Sequence, residues 1–254
     1  MPKLSRITIY PIKSFDGLEV ETSEVPSHGA LAEDRRWALA GVDGRVITSE
    51  STPAVCSIDA RWRQAGRSLA VSASDGEQAR FDLPGERAGL EAWMAAALGQ
   101  ECEIEEDAEG GFPYDKDACG PTIISTATLE EVASWLPGMT IDSMRRRFRT
   151  NLEIDAPEPF WEDRLVGKTF QVGSIHWVGT NVCQRCVVPA RNPDTGEPLS
   201  GFQKTVAQRR RETLPDWSPA EQFNHYYRVA INTKPAEGFT PGVVTVGDEV
   251  VIHE

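Results

Sequence analysis

Residues 1–85 of this chain break into short segments of alternating character separated by turn-forming residues, and that punctuation limits the fold more than any other feature. Successive side chains of a strand point to opposite faces, so Ile7 and Ile9 of Ser5–Tyr10 fall on one face. Leu18–Val25 alternates less strictly, and Arg36–Ala40, Arg45–Ile47, Val55–Trp62, Ser68–Ala73 and Ala79–Leu83 continue the series. Val42-Asp43-Gly44, Ala65-Gly66 and Ser74-Asp75-Gly76 supply the turns. Many short strands at even spacing predict a sandwich or a barrel.

Helical signals are few. Leu90, Trp93, Met94 and Ala97 form one stripe, with Gly99 placed to cap it. Residues 105–117 are acidic, contain glycine and lack periodicity, which reads as a connection between two domains. A second helix is expected near Thr128, where Thr-Leu-Glu-Glu makes a capping box with Glu131. It would bury Leu129, Val132, Ala133 and Leu136 and stop at Pro137-Gly138. Strands return over 152–154, 168–172, 175–179 and 182–188, followed by a tight turn at Asn192-Pro193-Asp194-Thr195-Gly196. Residues 204–212 read as helical, and 226–232 and 243–252 as closing strands. The fold class is therefore mainly β (α+β), as two β-rich domains with a few helices.

Charge narrows the partners. Lys plus Arg number 26 against 39 Asp plus Glu, a net charge of −13. A nucleic-acid binder should carry a basic footprint, and an anionic membrane surface would repel this chain. The five cysteines, at 56, 102, 119, 183 and 186, are odd in number and irregularly spaced, unlike a secreted disulfide framework. The first ten residues lack the apolar core of a signal peptide, and nowhere do 18 uncharged apolar residues run together. The expectation is a reduced, cytoplasmic protein with neither a nucleic-acid nor a membrane partner.

Against that background Cys183-Gln184-Arg185-Cys186 stands out. A structural zinc site needs a second Cys or His pair, and His28, His176, His225 and His253 show no paired spacing. A thioredoxin-type pair would open a helix, whereas Val187-Val188-Pro189 resists one. Arg185 beside the cysteines favours thiolate, the nucleophilic and metal-binding form. Arg145-Arg146-Arg147-Phe148-Arg149 and Arg209-Arg210-Arg211 concentrate positive charge, and Lys13 and Asp34-Arg35-Arg36 add to it. Any one run can be a solvated face, but clustered arginine is also how a protein grips a small anionic ligand. Leu165-Val166-Gly167-Lys168-Thr169 imitates the end of a phosphate-binding P-loop, yet Glu162 occupies its first glycine position and a strand-like run follows.

Taken together these residues resemble the MOSC family, the molybdenum cofactor sulfurase C-terminal domain proteins. The similarity is greatest to the two-domain branch that contains the mitochondrial amidoxime reducing component and its bacterial counterparts. Tyr10-Pro11-Ile12-Lys13-Ser14 resembles that family's N-terminal cofactor motif, and Asp34-Arg35-Arg36-Trp37 and Val46-Ile47-Thr48-Ser49 its next strands. Asp117 followed by Ile123-Ile124-Ser125-Thr126-Ala127-Thr128-Leu129 resembles the opening of the MOSC domain. Arg147-Phe148-Arg149-Thr150-Asn151, Phe160-Trp161-Glu162-Asp163 and the Cys183–Cys186 segment with Asn192-Pro193-Asp194-Thr195-Gly196 behind it complete the series.

The resemblance implies an N-terminal MOSC β-barrel domain (1–110) packed on a MOSC β-barrel domain (111–254), with a molybdenum cofactor (Mo-molybdopterin) between them. Cys186 would ligate the metal and be catalytic. Lys13, Ser14, Arg35, Asp117, Arg149, Asn151, Arg185 and Tyr226 would surround the pyranopterin and its phosphate. Cys183 reads as a structural thiol. The implied activity is an oxidoreductase reducing small N-oxygenated substrates, with electrons from a separate ferredoxin-, flavodoxin- or cytochrome-type donor and its reductase. No iron–sulfur, haem or flavin motif follows residue 186. A sulfur carrier using a persulfide on Cys186 and a molybdenum cofactor carrier are the alternatives. Where the reductase branch carries Thr-Thr-Val-Asp-Pro after the second cysteine, this chain has Val188-Pro189-Ala190-Arg191-Asn192-Pro193, so the loop at the metal is altered. Arg209-Arg210-Arg211 with Lys204 is the expected docking patch for an acidic donor.

Overall fold

The computed structural model describes residues 1–64 and 67–253. Its strands are β1 (Leu4–Ile9), β2 (Leu18–Val20), β3 (Thr22–Val25), β4 (Trp37–Gly41), β5 (Asp59–Gln64), β6 (Ser68–Ser72), β7 (Gln78–Asp82), β8 (Cys102–Glu106), β9 (Ile123–Ser125), β10 (Leu152–Ile154), β11 (Thr169–Val172), β12 (Ile175–Gln184), β13 (Arg228–Pro235), β14 (Gly242–Thr245) and β15 (Val250–Ile252). Four α-helices accompany them: α1 (Arg87–Leu98), α2 (Thr126–Ser134), α3 (Ile141–Phe148) and α4 (Phe202–Glu212). The protein is mainly β with a few helices, as the segment punctuation predicts. The Ala65-Gly66 turn lies outside the described residues.

The largest sheet has eight strands in the order β15-β11-β12-β13-β9-β10-β1-β2. β1 runs antiparallel to β10, and β10 runs parallel to β9. β3 pairs with β14. Residues 4–25 of the expected 1–110 unit are thus stitched by hydrogen bonds into the second half of the chain. A separate β5-β6-β7 meander and the β4-β8 pair lie in the first half. Glu105 and Glu106, expected to open a connection, instead continue β8 opposite Ala38 and Trp37.

Three apolar clusters follow from this arrangement. One fills the space beside the large sheet, from Ile7 and Leu152 to Phe170 and Trp177. A second joins Trp37, Trp62 and Leu69 to the Leu90–Met94 face of α1. The third packs α2, α3 and α4 on β9 and β13 through Leu129, Met144, Phe148, Phe202 and Val229. All three residues of β9 are buried, as a central strand covered on both faces must be.

Several local expectations need correction. Ser125, not Thr128, caps α2: its side chain accepts from the Thr128 backbone N–H, while Thr128 is buried and its hydroxyl donates to Glu162 at 3.0 Å. Val55 lies in a 3-10 turn (Pro53–Ser57) rather than a strand, because Pro53 removes a ladder donor. Arg45–Ile47 makes only an isolated bridge, Ala40 to Val46. The two strands expected over 175–188 are one, ending at Gln184, and Val188–Ala190 is a 3-10 turn.

Candidate functional site

Two chain segments brought together by backbone hydrogen bonds create the site's first wall. The Lys13 N–H donates to Trp37 O (2.8 Å), Trp37 N–H to Pro11 O (2.9 Å) and Arg35 N–H to Tyr10 O (2.7 Å). The Tyr10 N–H in turn donates to Asp34 Oδ1 at 2.8 Å. This lacing forces Ser14 (φ 74°) and Arg35 (φ 53°) into the left-handed region. Arg149, in the left-handed position that ends α3, shares that conformation at φ 52°. Non-glycine residues seldom adopt it, and where they do, the surroundings hold them there for a purpose. The loop after β8 closes the rim and is pinned at Gly120, whose N–H donates to Thr233 O (2.9 Å). A Cβ at Gly120 would sit 2.9 Å from that carbonyl oxygen, so only glycine permits the approach.

Between these walls and β12–β13 lies a cleft of about 840 Å³, lined by Lys13, Ser14, Arg35, Arg149, Cys183, Arg185 and Cys186 among others. The charge balance of its lining reverses that of the chain. Lys13, Arg35, Lys116, Arg147, Arg149, Arg185 and Arg228 face only Glu50 and Asp115 there, whereas acids outnumber bases 39 to 26 overall. A cleft of this kind attracts an anion.

The two cysteines differ sharply. Cys183 is buried, donates to Asn232 Oδ1 at 2.9 Å, and burial pushes its thiol up to about 11. Cys186 is exposed in the cleft, and the Val188 backbone N–H donates to its sulfur at 3.4 Å. Arg185 is fixed, its guanidinium donating to Phe148 O and its backbone N–H to Tyr227 O.

Opposite the thiol, several cationic donors are unspent. Arg149 lies 4.3 Å over the Tyr10 ring, with Nε and Nη2 buried and unpartnered among the described residues. Arg35 pairs with Asp34 yet leaves Nε unpartnered, and the Ser14 hydroxyl is in the same condition. Lys13 donates to Pro113 O at 3.0 Å and sits 4.4 Å over the Tyr114 ring; burial lowers its ammonium from the ordinary lysine value. Buried donors without acceptors are costly, and an anionic group would satisfy them.

Of the residues expected here, Lys13, Ser14, Arg35, Arg149, Arg185 and Cys186 come together. Asp117 does not: it is exposed and its N–H donates to Asp115 Oδ1, so that Asp115 lines the cleft in its place. Asn151 stands behind the wall. Its Oδ1 accepts from Thr122 N–H (3.2 Å) and Arg35 Nη1 (3.4 Å), and its Nδ2 donates to Thr8 O (3.1 Å). Tyr226 stacks on Phe223 instead, and its neighbour Tyr227, buried and edge-on to Phe202, is the tyrosine beside Arg185. Sequence reading missed Asn232 and Arg228 on β13 and Tyr114 at the rim. The Arg209–Arg211 patch also divides: Arg210 is fully buried against Asp163, and only Arg209 and Arg211 are exposed.

Comparison with known proteins gives the family of the chain. Residues 1–138 match the MOSC N-terminal beta barrel domain and residues 120–251 the MOSC domain. Molybdenum cofactor sulfurase from Solanum lycopersicum is 23% identical over 98% of this chain and 35% of its own length. That of Drosophila melanogaster is 26% identical over 99% and 35%, and that of Arabidopsis thaliana 24% identical over 82% and 31%. The chain thus spans about a third of the length of these relatives. Among solved structures, the YUAD protein from Bacillus subtilis aligns over 100% of this chain and 97% of its own at a TM-score of 0.41 and 12% identity. With both family domains matched in order and together spanning nearly its whole length, the chain belongs to the MOSC family.

Proposed function

We propose that this protein binds the molybdenum cofactor in the cleft, with Cys186 as the metal's protein ligand, and reduces N-oxygenated compounds such as N-hydroxylated bases, amidoximes or hydroxylamines. The observation that carries the reading is one exposed thiol sharing a cationic cleft with buried, unpartnered donors. The residues present fit the group: a soft thiolate suits molybdenum, and unspent guanidinium and hydroxyl donors suit a pterin phosphate.

The cofactor, when bound, supplies a two-electron centre able to accept oxygen from a substrate nitrogen. The chain's own residues bind and orient. Arg149, Arg35, Ser14 and Lys13 would hold the anionic end, and the Val188 N–H, donating to the Cys186 sulfur, would orient it toward the metal. Cys183, buried and committed to Asn232, fixes the end of β12 without sharing the metal. Electrons would come from a separate ferredoxin-, flavodoxin- or cytochrome-type protein. Molybdenum and pterin content after anaerobic purification, followed by turnover of an N-hydroxylated substrate with an artificial reductant, tests the reading. A metal-free protein that nevertheless acts would end it.

A second reading is sulfur transfer, with a persulfide on Cys186. The names of the sulfurase relatives favour it, and the accessible thiol would serve it equally. Mass spectrometry of the Cys186 peptide after incubation with a sulfane-sulfur donor separates the two: transferable sulfur without pterin would replace the reductase reading.

A further inference from the structure

The hydrocarbon of the cleft is gathered at its thiol. Among the described side chains that line it, only Phe148, Val188 and Pro189 carry no polar atom. Val188 donates its N–H to the Cys186 sulfur at 3.4 Å, and Pro189 follows it. The Phe148 carbonyl accepts from Arg185, whose guanidinium lies 5.3 Å over the Phe148 ring. Elsewhere the lining is polar, from Thr48 and Ser49 to Asn181 and Asn232 on β12 and β13. Gln184 and Arg185 precede the sulfur, so it stands between a polar side and an apolar one.

The backbone of the apolar side is already committed. The Val188 N–H goes to the sulfur, Pro189 has none, and the Ala190 N–H donates to Val187 O at 3.0 Å. Val188 O accepts from the Arg191 N–H (2.9 Å) and Pro189 O from Arg147 Nη1 (2.8 Å). The Leu199 N–H donates to Ala190 O (2.7 Å), which fixes the wall from behind. Val188 is half-buried, so part of its side chain still faces the cleft. A polar group pressed against it would lose water and gain no hydrogen bond, whereas hydrocarbon would lose nothing.

We propose that Val188, with Pro189 beside it, selects molecules that bring a hydrocarbon substituent to the Cys186 sulfur. Naming such a molecule as an N-alkyl or N-aryl hydroxylamine rests on the proposed function; the apolar wall does not. Cleavage of its N–O bond takes two electrons from the separate donor and two protons from solvent. It releases the substituted amine and one water. Unsubstituted hydroxylamine, with nothing to place on Val188, would gain less from the wall.

The test has two arms. In the first, the full-length chain is made in a host unable to make the pterin. Alkylation of Cys186 by N-benzylmaleimide and by N-hydroxyethylmaleimide is followed by peptide mass spectrometry, with glutathione as reference thiol. The benzyl-to-hydroxyethyl rate ratio should exceed that of glutathione. Val188→Thr exchanges a methyl for a hydroxyl and should lower the ratio by about fourfold, the weight of one methyl-sized contact. Val188→Ile should retain it. In the second arm, the cofactor-loaded protein is assayed with an artificial reductant. The ratio of kcat/KM for N-benzylhydroxylamine over hydroxylamine should fall by a similar factor in Val188→Thr. A glutathione-like alkylation ratio, or the same ratio in a folded Val188→Thr, overturns the proposal. Equal loss of kcat/KM on both substrates also overturns it, since a purely structural role would produce that. Absence of turnover by the loaded, unaltered protein ends the reductase reading, and the alkylation ratio then decides the wall by itself.

Discussion

The Cys183 thiol donates to Asn232 Oδ1 at 2.9 Å, tying the end of β12 to β13 inside the cleft wall. Burial holds that thiol protonated up to about 11, whereas Cys186, three residues on, is exposed. The two should therefore respond differently to the same substitution. Cys186→Ser exchanges a soft ligand for a hydroxyl at little change in volume, and should leave a folded protein without turnover. Cys183→Ser keeps a donor for Asn232 and should be much milder. Activity at equal cofactor loading checks both; equal loss from the two would point to a dithiol.

Arg149 and Lys13 should govern cofactor retention. They belong to segments 136 residues apart in sequence (149 − 13) and line one cleft. Removing one charge-assisted phosphate contact typically costs roughly 1.5–3 kcal/mol, or about 10- to 150-fold in affinity. Arg149→Ala should lower pterin content on purification, with much of the rate restored by excess cofactor. Full pterin occupancy with a lost rate would place Arg149 in the reaction itself.

How far the sequence could be read depends on the range of each signal. The alternation of Ile7 and Ile9 and the Leu90–Met94 stripe with Gly99 are local, and β1 and α1 formed where expected. Helix α3 was not expected. Arg145, Arg146 and Arg147 hide its apolar face, and Arg147 is buried only because carbonyls of the loop after Cys186 accept its guanidinium. Its N-cap, Thr140 accepting from Ser143 N–H, was the available clue. Asp115 displaced Asp117 from the cleft through a short turn within the same loop, which composition cannot foresee. The burial of Arg210 depends on Asp163, 47 residues away.

That burial changes how a docking patch can be tested. Arg210 is fully buried, paired with Asp163 and 3.6 Å over the Phe160 ring, so Arg210→Glu would set two acids together in the core. Breaking a buried pair typically costs about 3–5 kcal/mol. Arg209 pairs with Glu212 at 3.2 Å in the open, where reversal should cost under about 1 kcal/mol. A large fall in melting temperature for Arg210→Glu alone is expected. Reversal of only Lys204, Arg209 and Arg211 to Glu should then slow reduction by an acidic protein donor, more so at low salt, and leave a small artificial reductant unaffected. Equal slowing with both donors removes the patch from docking.

Glu162 supplies the last test. It is fully buried and, among the described residues, has no cationic partner of its own and none at all on Oε1, while Oε2 accepts from Ser125 N–H (3.2 Å) and Thr128 Oγ1 (3.0 Å). Burial first, then the neighbouring Asp163, push its carboxyl up to about 7. The folded state therefore binds this proton more tightly than the unfolded chain, whose glutamate titrates near the ordinary value. Stability is greatest below that ordinary value and is lost as pH rises through about 7. The loss is bounded by the shift at about 3–4 kcal/mol, which for a chain of this size corresponds to several degrees in melting temperature. Glu162→Gln keeps an acceptor for Ser125 and Thr128 but cannot ionise. Its melting temperature should fall less between pH 5 and pH 8 than that of the unaltered protein, whatever constant offset the amide introduces. Asp163 and Arg210 remain in both proteins, so their titration is common to the two profiles. Parallel profiles would mean that Glu162 is ionised in the folded protein throughout this range.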